Sequence, residues 1–367
     1  MIRTQVFTKD FVVSRTRTVH AVRGISLDVE PGELVAVLGP NGAGKTTTLR
    51  MLTTLIPPTS GTAEVAGYDV ATRPDRGRAA IGYVGQGGAG GASQLVRDEL
   101  VTQGEIYGLD RRTARSRAAE LVEALDLTEQ ADRKIESLSG GQKRRLDVAV
   151  GLVHQPSLLF LDEPSTGLDP HNRANLWEHI LRMRTAAAEP MTIVLTTHYL
   201  DEADTFAERV IVVDHGQVIA DATADALKAE LAGDLVTLGV AAEHAAALAA
   251  IAERAPGTRS VRVEAGASGE TRTVEIRTAD GPGATPGLLR AADAAGVTVS
   301  RVDVARPTLD DVFLNLTGRS LRESSTGEPG SRVEPGSRVE PVETPVSTSS
   351  TNGRSTTGST NKKEVLA

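Results

Sequence analysis

Leu34-Val35-Ala36-Val37-Leu38-Gly39-Pro40-Asn41-Gly42-Ala43-Gly44-Lys45-Thr46 is the stretch from which the rest of the chain can be read. Five apolar residues have the length of a strand buried on both faces, and they run straight into a glycine-rich turn. The segment from Lys45 to Leu55 carries a helical pattern. Strand, loop and helix in this order form a P-loop. Its glycines let the backbone wrap around phosphate oxygens and point successive N–H groups inward, and the helix start adds positive potential. Gly39, Pro40, Asn41, Gly42, Ala43, Gly44, Lys45, Thr46 and Thr47 are therefore the expected nucleotide-binding set. Lys45 is expected to reach the β- and γ-phosphates and the Thr46 hydroxyl to ligate Mg²⁺.

A second element answers the first. Leu158-Leu159-Phe160-Leu161 reads as another buried strand and delivers Asp162 and Glu163 to its end. In open α/β sheets, ligands gather at the carboxyl ends of the strands. Asp162 is expected to complete the Mg²⁺ environment through bound water, and Glu163 to polarise the attacking water. Residues 81–84, 192–196 and 210–213 also read as buried strands. Residues 114–125, 142–154, 173–187 and 200–207 read as helices. Leu138-Ser139-Gly140-Gly141-Gln142 stands directly before one of them. Ser139, Gly140, Gly141 and Gln142 offer a second anion-gripping helix start, most useful to the nucleotide of a neighbouring subunit.

With these motifs assembled, the sequence resembles the ABC ATPase family over roughly residues 4–228. Leu138 to Gln142 matches that family's LSGGQ signature. Gln86, after the strand in IGYVGQ, matches its glutamine that senses Mg²⁺ and the lytic water. Ser165-Thr166-Gly167-Leu168-Asp169 resembles the loop that crosses the dimer interface, and His198 resembles the switch histidine at the γ-phosphate. The resemblance implies catalytic roles for Glu163, His198 and Gln86, metal-site roles for Thr46, Gln86 and Asp162, and ATP with Mg²⁺ as cofactors. It also implies a head-to-tail homodimer holding two ATP molecules between P-loop and signature. One feature departs from the family, whose members usually stack an aromatic residue on adenine. Its place falls near Thr16 or Arg17, residues 12–19 contain no aromatic, Phe11 lies too early and His20 too late. Arg17 or Val19 is left to substitute, and strict ATP-over-GTP selectivity is not expected. The loop GGAGGASQL after Gln86 is unusually rich in glycine.

The fold class that follows is α/β, a P-loop NTPase cassette of the ABC type with a helical subdomain and a small C-terminal α+β domain. The expected divisions are 1–228 for the cassette (helical subdomain approximately 87–155), 229–318 for the small domain and 319–367 for a disordered tail. The small domain is read from helical patterns at 243–254 and 287–295 and strands at 260–264, 273–278 and 298–304. The tail carries a Pro/Gly-bearing six-residue repeat and a Ser/Thr-rich end that cannot bury enough apolar area to offset ordering its backbone.

Composition limits what else the chain does. Its 367 residues carry a formal charge of -8, 3% aromatics and no cysteine. A disulfide scaffold and a thiolate metal site are excluded. The acidic balance argues against a dedicated nucleic-acid binder, and Lys143-Arg144-Arg145 is too short a run to reverse that. No stretch approaches the roughly 18 apolar residues of a membrane-spanning helix, and the first residues lack a signal-peptide core. The expected location is the cytoplasmic face of the cell membrane, held there by a separate polytopic permease. Arg306 to Gly318 resembles the closing segment of daunorubicin-resistance-type exporter ATPases, which implies export of an antibiotic or other hydrophobic compound. Leu309, Val312, Phe313 and Leu316 form an apolar stripe at helical spacing, expected to pack on the small domain itself. The alternatives are the same ATPase serving a lipid, polysaccharide or ion, and a soluble ABC ATPase acting on ribosomes or DNA.

Overall fold

A computed structural model describes residues 1–88, 90–186, 190–265 and 271–318. The expected tail, 319–367, lies outside the described residues. At the centre is a six-stranded sheet in the order Gln217–Ala222, Arg209–Asp214, Leu34–Leu38, Thr192–Thr197, Leu158–Asp162 and Ile81–Val84. All neighbours are parallel except the edge pair Arg209–Asp214 with Gln217–Ala222. Leu34–Leu38 and Leu158–Asp162 are buried along their whole length, as strands covered on both faces must be. Parallel pairing puts the carboxyl ends of four strands side by side. The residues that follow those ends, Gly39, Glu163, His198 and Gln86, are thereby delivered to one edge of the sheet.

One face of this sheet is covered by helices, including Val96–Ile106, Arg111–Ala124, Gly140–Leu152 and Pro170–Thr185. The other face packs on the P-loop helix Lys45–Leu52 and on an antiparallel sheet built from Ile2–Ser14, Arg17–Ile25, Asp28–Val29, Ser60–Val65 and Tyr68–Asp69. The small domain places Asp234–Ala241, Thr258–Ala265, Thr271–Thr278 and Val299–Ala305 in one antiparallel sheet. Ala245–Arg254 and Gly281–Ala294 complete a core of Val236, Leu238, Val240, Leu248, Val274, Ile276 and Leu288. The central strand Asp234–Ala241 is additional to the elements read from sequence.

The closing stripe behaves differently from the expectation. Leu309, Val312 and Phe313 of the helix Leu309–Thr317 join the cassette's core, with Leu316 packed against it, and not the core of the small domain. Asn315 Nδ2 donates to the Leu231 carbonyl at 3.1 Å. The helix therefore packs on the segment around Leu231 that joins the two domains and on the cassette core with which that segment is continuous. Thr308 and Asp311 cap its first turn reciprocally, and Arg277 binds Asp311 at 2.6 Å. Burial acts to raise the Asp311 pKa, but the Thr308 bonds and Arg277 outweigh it and hold the carboxyl below its ordinary value. A depressed folded-state value means that this contribution is present above the unfolded carboxylate range and is lost as pH falls through the folded one. Asp311→Ala is expected to cost about 1–2 kcal/mol at neutral pH. The difference from the parent should shrink on acidification, read by urea melts from pH 7 down to pH 3.

Candidate functional site

The P-loop is shaped by close packing. Gly44 takes φ +102° at the helix N-cap, and a Cβ built there would lie 2.4 Å from the Ala21 carbonyl oxygen. At Gly39 the same construction falls 2.1 Å from the Val213 carbonyl. Only hydrogen fits at either position. Lys45 folds over the loop, donating from Nζ to the carbonyls of Gly39 at 2.6 Å and Pro40 at 3.1 Å. Burial pulls its ammonium below the ordinary value, opposed by the Glu163 and Asp162 carboxylates. Such a cation is held in place with its charge only partly compensated, ready to gain from an anion in the cradle. Thr47 is half-buried on the next position of the helix.

Thr46 and Asp162 are brought together across the sheet edge. Thr46 Oγ1 donates to Asp162 Oδ1 at 3.1 Å, and Thr196 Oγ1 donates to the same oxygen at 2.6 Å. Asp162 is 1% exposed. Hydroxyl and carboxylate oxygens are the donors that a hard divalent cation prefers, so these two residues fit a Mg²⁺ ion. Gln86 is exposed, two residues beyond the end of Ile81–Val84. No hydrogen bond joins it to Thr46 or Asp162 among the described residues.

Glu163 turns the chain. It occupies the left-handed region at φ +50°, a conformation that costs a non-glycine residue about 1–3 kcal/mol and that persists only where its surroundings enforce it. Its N–H donates to the Thr196 carbonyl at 2.9 Å. Its carboxylate accepts from Thr166 Oγ1 at 3.1 Å and lies 3.3 Å from His198 Nδ1. The bond from His198, opposed by burial and aided by Thr166 and Lys45, holds the carboxyl below its ordinary value. Glu163 is therefore an anion at neutral pH. Lys45, Thr46, Asp162, Glu163 and His198 thus meet at one edge.

The signature lies elsewhere on the same subunit. Ser139 caps Gly140–Leu152 in a reciprocal capping box with Gln142, at 3.3 Å and 2.9 Å. Ser139 and Gly140 are exposed, Gly141 and Gln142 half-buried, so this helix start is presented outward. Sequence reading passed over several residues that hold the site, and gave Ser165 and Thr166 only to the loop expected at the dimer interface. Thr196 orders both acids, Tyr83 reaches Asp162 at 3.5 Å, and Thr166 reaches Glu163. Buried Glu202 accepts from Ser165 Oγ and, at 2.8 Å, from Thr197 Oγ1. Threonine and tyrosine at strand ends carry no signal beyond β propensity, so only the fold reveals them.

The basic run after the signature is not a solvated patch. Arg144 is buried, and burial lowers its guanidinium pKa against the pull of Asp147. Arg145 pairs with Asp126 at 2.9 Å. Phe11, set aside by counting along the sequence, stands directly opposite Val19 in the hairpin of Ile2–Ser14 and Arg17–Ile25. Both are partly exposed. Ala21, two residues from Val19, lies against Gly44 of the P-loop.

This sheet, its cradle and its two acids define an ABC-type ATPase, a nucleotide-hydrolysing enzyme. The family described as "ABC transporter" matches residues 22–166, and the family "ATP-binding protein DrrA1-3-like, C-terminal domain" matches residues 223–317. The daunorubicin resistance ATP-binding protein DrrA3 of Streptomyces coeruleorubidus is 42% identical over 86% of this chain and 96% of its own length. The Nod factor export ATP-binding protein I of Burkholderia lata is 36% identical over 82% of this chain and 93% of its own. A bacterial ABC transporter cassette solved as a dimer superimposes with a TM-score of 0.56 at 24% identity, over 61% of this chain and 98% of its own. The chain belongs to the family of daunorubicin-resistance-type ABC ATP-binding proteins.

Proposed function

We propose that two copies of this chain close on two ATP molecules and that the cycle of closure and hydrolysis drives export of a hydrophobic small molecule through a separate membrane permease. The observation that carries this reading is the split site. Lys45, Thr46, Asp162, Glu163 and His198 meet at one edge, while Ser139 to Gln142 start another helix whose first residues, Ser139 and Gly140, are exposed to a neighbour. A second copy, placed head to tail, supplies each nucleotide with both halves.

In this reading the P-loop amides and Lys45 hold the β- and γ-phosphates. Thr46 and Asp162 hold Mg²⁺, which supplies charge neutralisation to the phosphates when bound. Gln86 completes that environment from its exposed loop once the nucleotide is in place. Glu163 orients and polarises the attacking water, and His198 orients Glu163 and faces the γ-phosphate. Closure follows from contacts to the γ-phosphate that exist in one state only.

Phe11, beside Val19, is the proposed stacking surface for the nucleotide base. Base–aromatic stacking contributes about 1–3 kcal/mol. Phe11→Ala is therefore expected to raise KM for ATP by roughly five- to 150-fold with little change in kcat. An unchanged KM in steady-state assays rules Phe11 out.

The cargo class rests on the daunorubicin-resistance relatives. The 36% identical Nod factor exporter supports a second reading, the same ATPase serving export of another substrate such as a lipid or polysaccharide. No helix among the described residues is long and apolar enough to cross a membrane, so the path for cargo belongs to the partner, and with it the chain's place at the membrane's cytoplasmic face. The test is drug accumulation in cells expressing the chain together with a polytopic permease of the exporter class. Accumulation that falls with the intact chain and recovers with Lys45→Ala supports drug export. Accumulation indifferent to Lys45 overturns it, and chain recovered on ribosomes or DNA favours the soluble alternative.

A further inference from the structure

Arg144 does more than fill space behind the signature. Its five N–H donors form a rigid fork, and nearly all of that capacity goes to backbone carbonyls of other elements. Nη1 donates to Gly85 at 2.7 Å, Nη2 to Asp162 at 3.3 Å and to Glu163 at 3.2 Å, and Nε to Pro164. Asp147, one turn further along the same helix, steadies the fork at 3.5 Å. Gly85 directly precedes Gln86. Asp162, Glu163 and Pro164 are the tip of the acidic strand. A single buried cation therefore joins the helix that begins at Ser139 to the backbone carrying both acids and to the base of the Gln86 loop.

The helix between Ser139 and Arg144 is short and stiff, about 7–8 Å at 1.5 Å per residue. It cannot absorb a displacement of its N-terminus by bending. Any shift of the signature amides must reach Arg144, and through it the carbonyls on either side of the strained Glu163 turn. That turn sits at φ +50° because its surroundings hold it, so a change in the bonds from Arg144 acts on it directly.

We propose that Arg144 is a positioning residue through which the nucleotide held across the dimer by one subunit's signature sets that subunit's own Glu163 and Gln86, making the two ATP sites positively cooperative. The proposal rests on the head-to-tail pairing given above. Cooperativity between two sites requires an element whose state both bias. The Glu163 turn is that element, reached from its own nucleotide through the carboxylate and from the neighbour's through Arg144.

The experiment uses the full-length chain. Parent ATPase activity is expected to rise sigmoidally with ATP, with a Hill coefficient approaching about 2, the number of sites. Arg144→Lys keeps the charge but not the fork, and Arg144→Gln keeps a donor without the charge. Both are expected to bring the Hill coefficient to about 1 and to lower kcat by roughly tenfold or more, since misplacement by about 1 Å can cost a hundredfold. ATP affinity should stay within about threefold, because Lys45 and the cradle are untouched. A hyperbolic parent overturns the proposal, and so does a folded variant that keeps the parent's Hill coefficient, whatever its kcat.

If neither variant folds, mixed dimers of Lys45→Ala and Glu163→Gln chains decide the matter. The Lys45→Ala subunit then meets nucleotide only through its signature. Hydrogen exchange should slow at its Gly85 and Gln86 on adding ATP and Mg²⁺, and unchanged exchange in a formed dimer overturns the coupling. Failure of the Glu163→Gln chain to pair with ATP overturns the dimer reading instead, so the two failures are told apart.

Discussion

Glu163→Gln is expected to bind ATP with near-parental affinity while hydrolysing it about 10²–10⁴ times more slowly, the span that a positioned general base contributes. The substitution is close to isosteric. The amide oxygen still accepts from Thr166 Oγ1, and the backbone N–H still reaches Thr196, so the turn is retained. What disappears is the anion that His198 and Lys45 hold charged. Lys45 loses one of the two carboxylates that offset its burial, while Asp162 remains. With ATP held and turnover blocked, the closed pair should accumulate, visible as a doubled mass in size-exclusion chromatography with ATP and Mg²⁺. Turnover within about threefold of the parent in a folded Glu163→Gln protein would remove Glu163 from the chemistry. His198, adjacent at 3.3 Å, would then be the remaining base to test.

The contrast between legible and illegible parts of the chain follows burial. Leu34–Leu38 and Leu158–Asp162 could be read because a strand covered on both faces must be apolar throughout. Ile2–Ser14 could not. Its ladder shifts register between Phe7 and Thr8, again between Lys9 and Asp10, and again between Val12 and Ser14. Each irregularity resets the alternation on which strand recognition depends. The same irregular hairpin bears on the count toward the base-stacking position, for which Phe11 is the residue proposed above. Residue spacing measures distance along a chain, and a hairpin of different length moves an aromatic without moving its place in space. Phe11 thus lies across from Val19, two residues past the counted position near Thr16 or Arg17.

The small domain shows a second limit. Its central strand Asp234–Ala241 mixes Gly239 and Thr237 among the apolar residues and follows a helix after a single glycine, Gly233. Its closing stripe was visible as a stripe, but periodicity says only that a face is apolar and not which surface covers it. The site divides in the same way. Glycines, lysine and paired acids announce themselves at strand ends because phosphate chemistry needs those residue types there. Thr196 and Arg144 carry signals that a β-former or a surface cation would also give. Their roles are set by burial and by carbonyls far away in sequence.

The P-loop offers the second large effect, and its glycines provide their own control. Gly42 and Gly44 both have positive φ, +82° and +102°. A Cβ on Gly42 meets nothing within 4 Å, whereas one on Gly44 meets the Ala21 oxygen at 2.4 Å and atoms of Val22 and Gly216 at 3.5 Å. Ala21 cannot retreat easily. Its strand is tied to Gly216 by the bond from Arg23 N–H, and Gly216 is tied in turn to the Ala43 carbonyl at 2.9 Å. Against the protein's own atoms Gly42→Ala thus carries conformational strain alone, about 1–2 kcal/mol, and should weaken ATP binding less than Gly44→Ala. Gly44→Ala adds a backbone collision at the helix N-cap and must displace the amides that hold phosphate. Its binding loss should exceed that of Gly42→Ala by at least about tenfold, one step of 1.4 kcal/mol, with the small domain unaffected. Titration of both variants with ATP measures the difference directly. Equal losses would mean that the cradle yields without consequence, and that Lys45 alone, rather than the fixed amide geometry, secures the nucleotide.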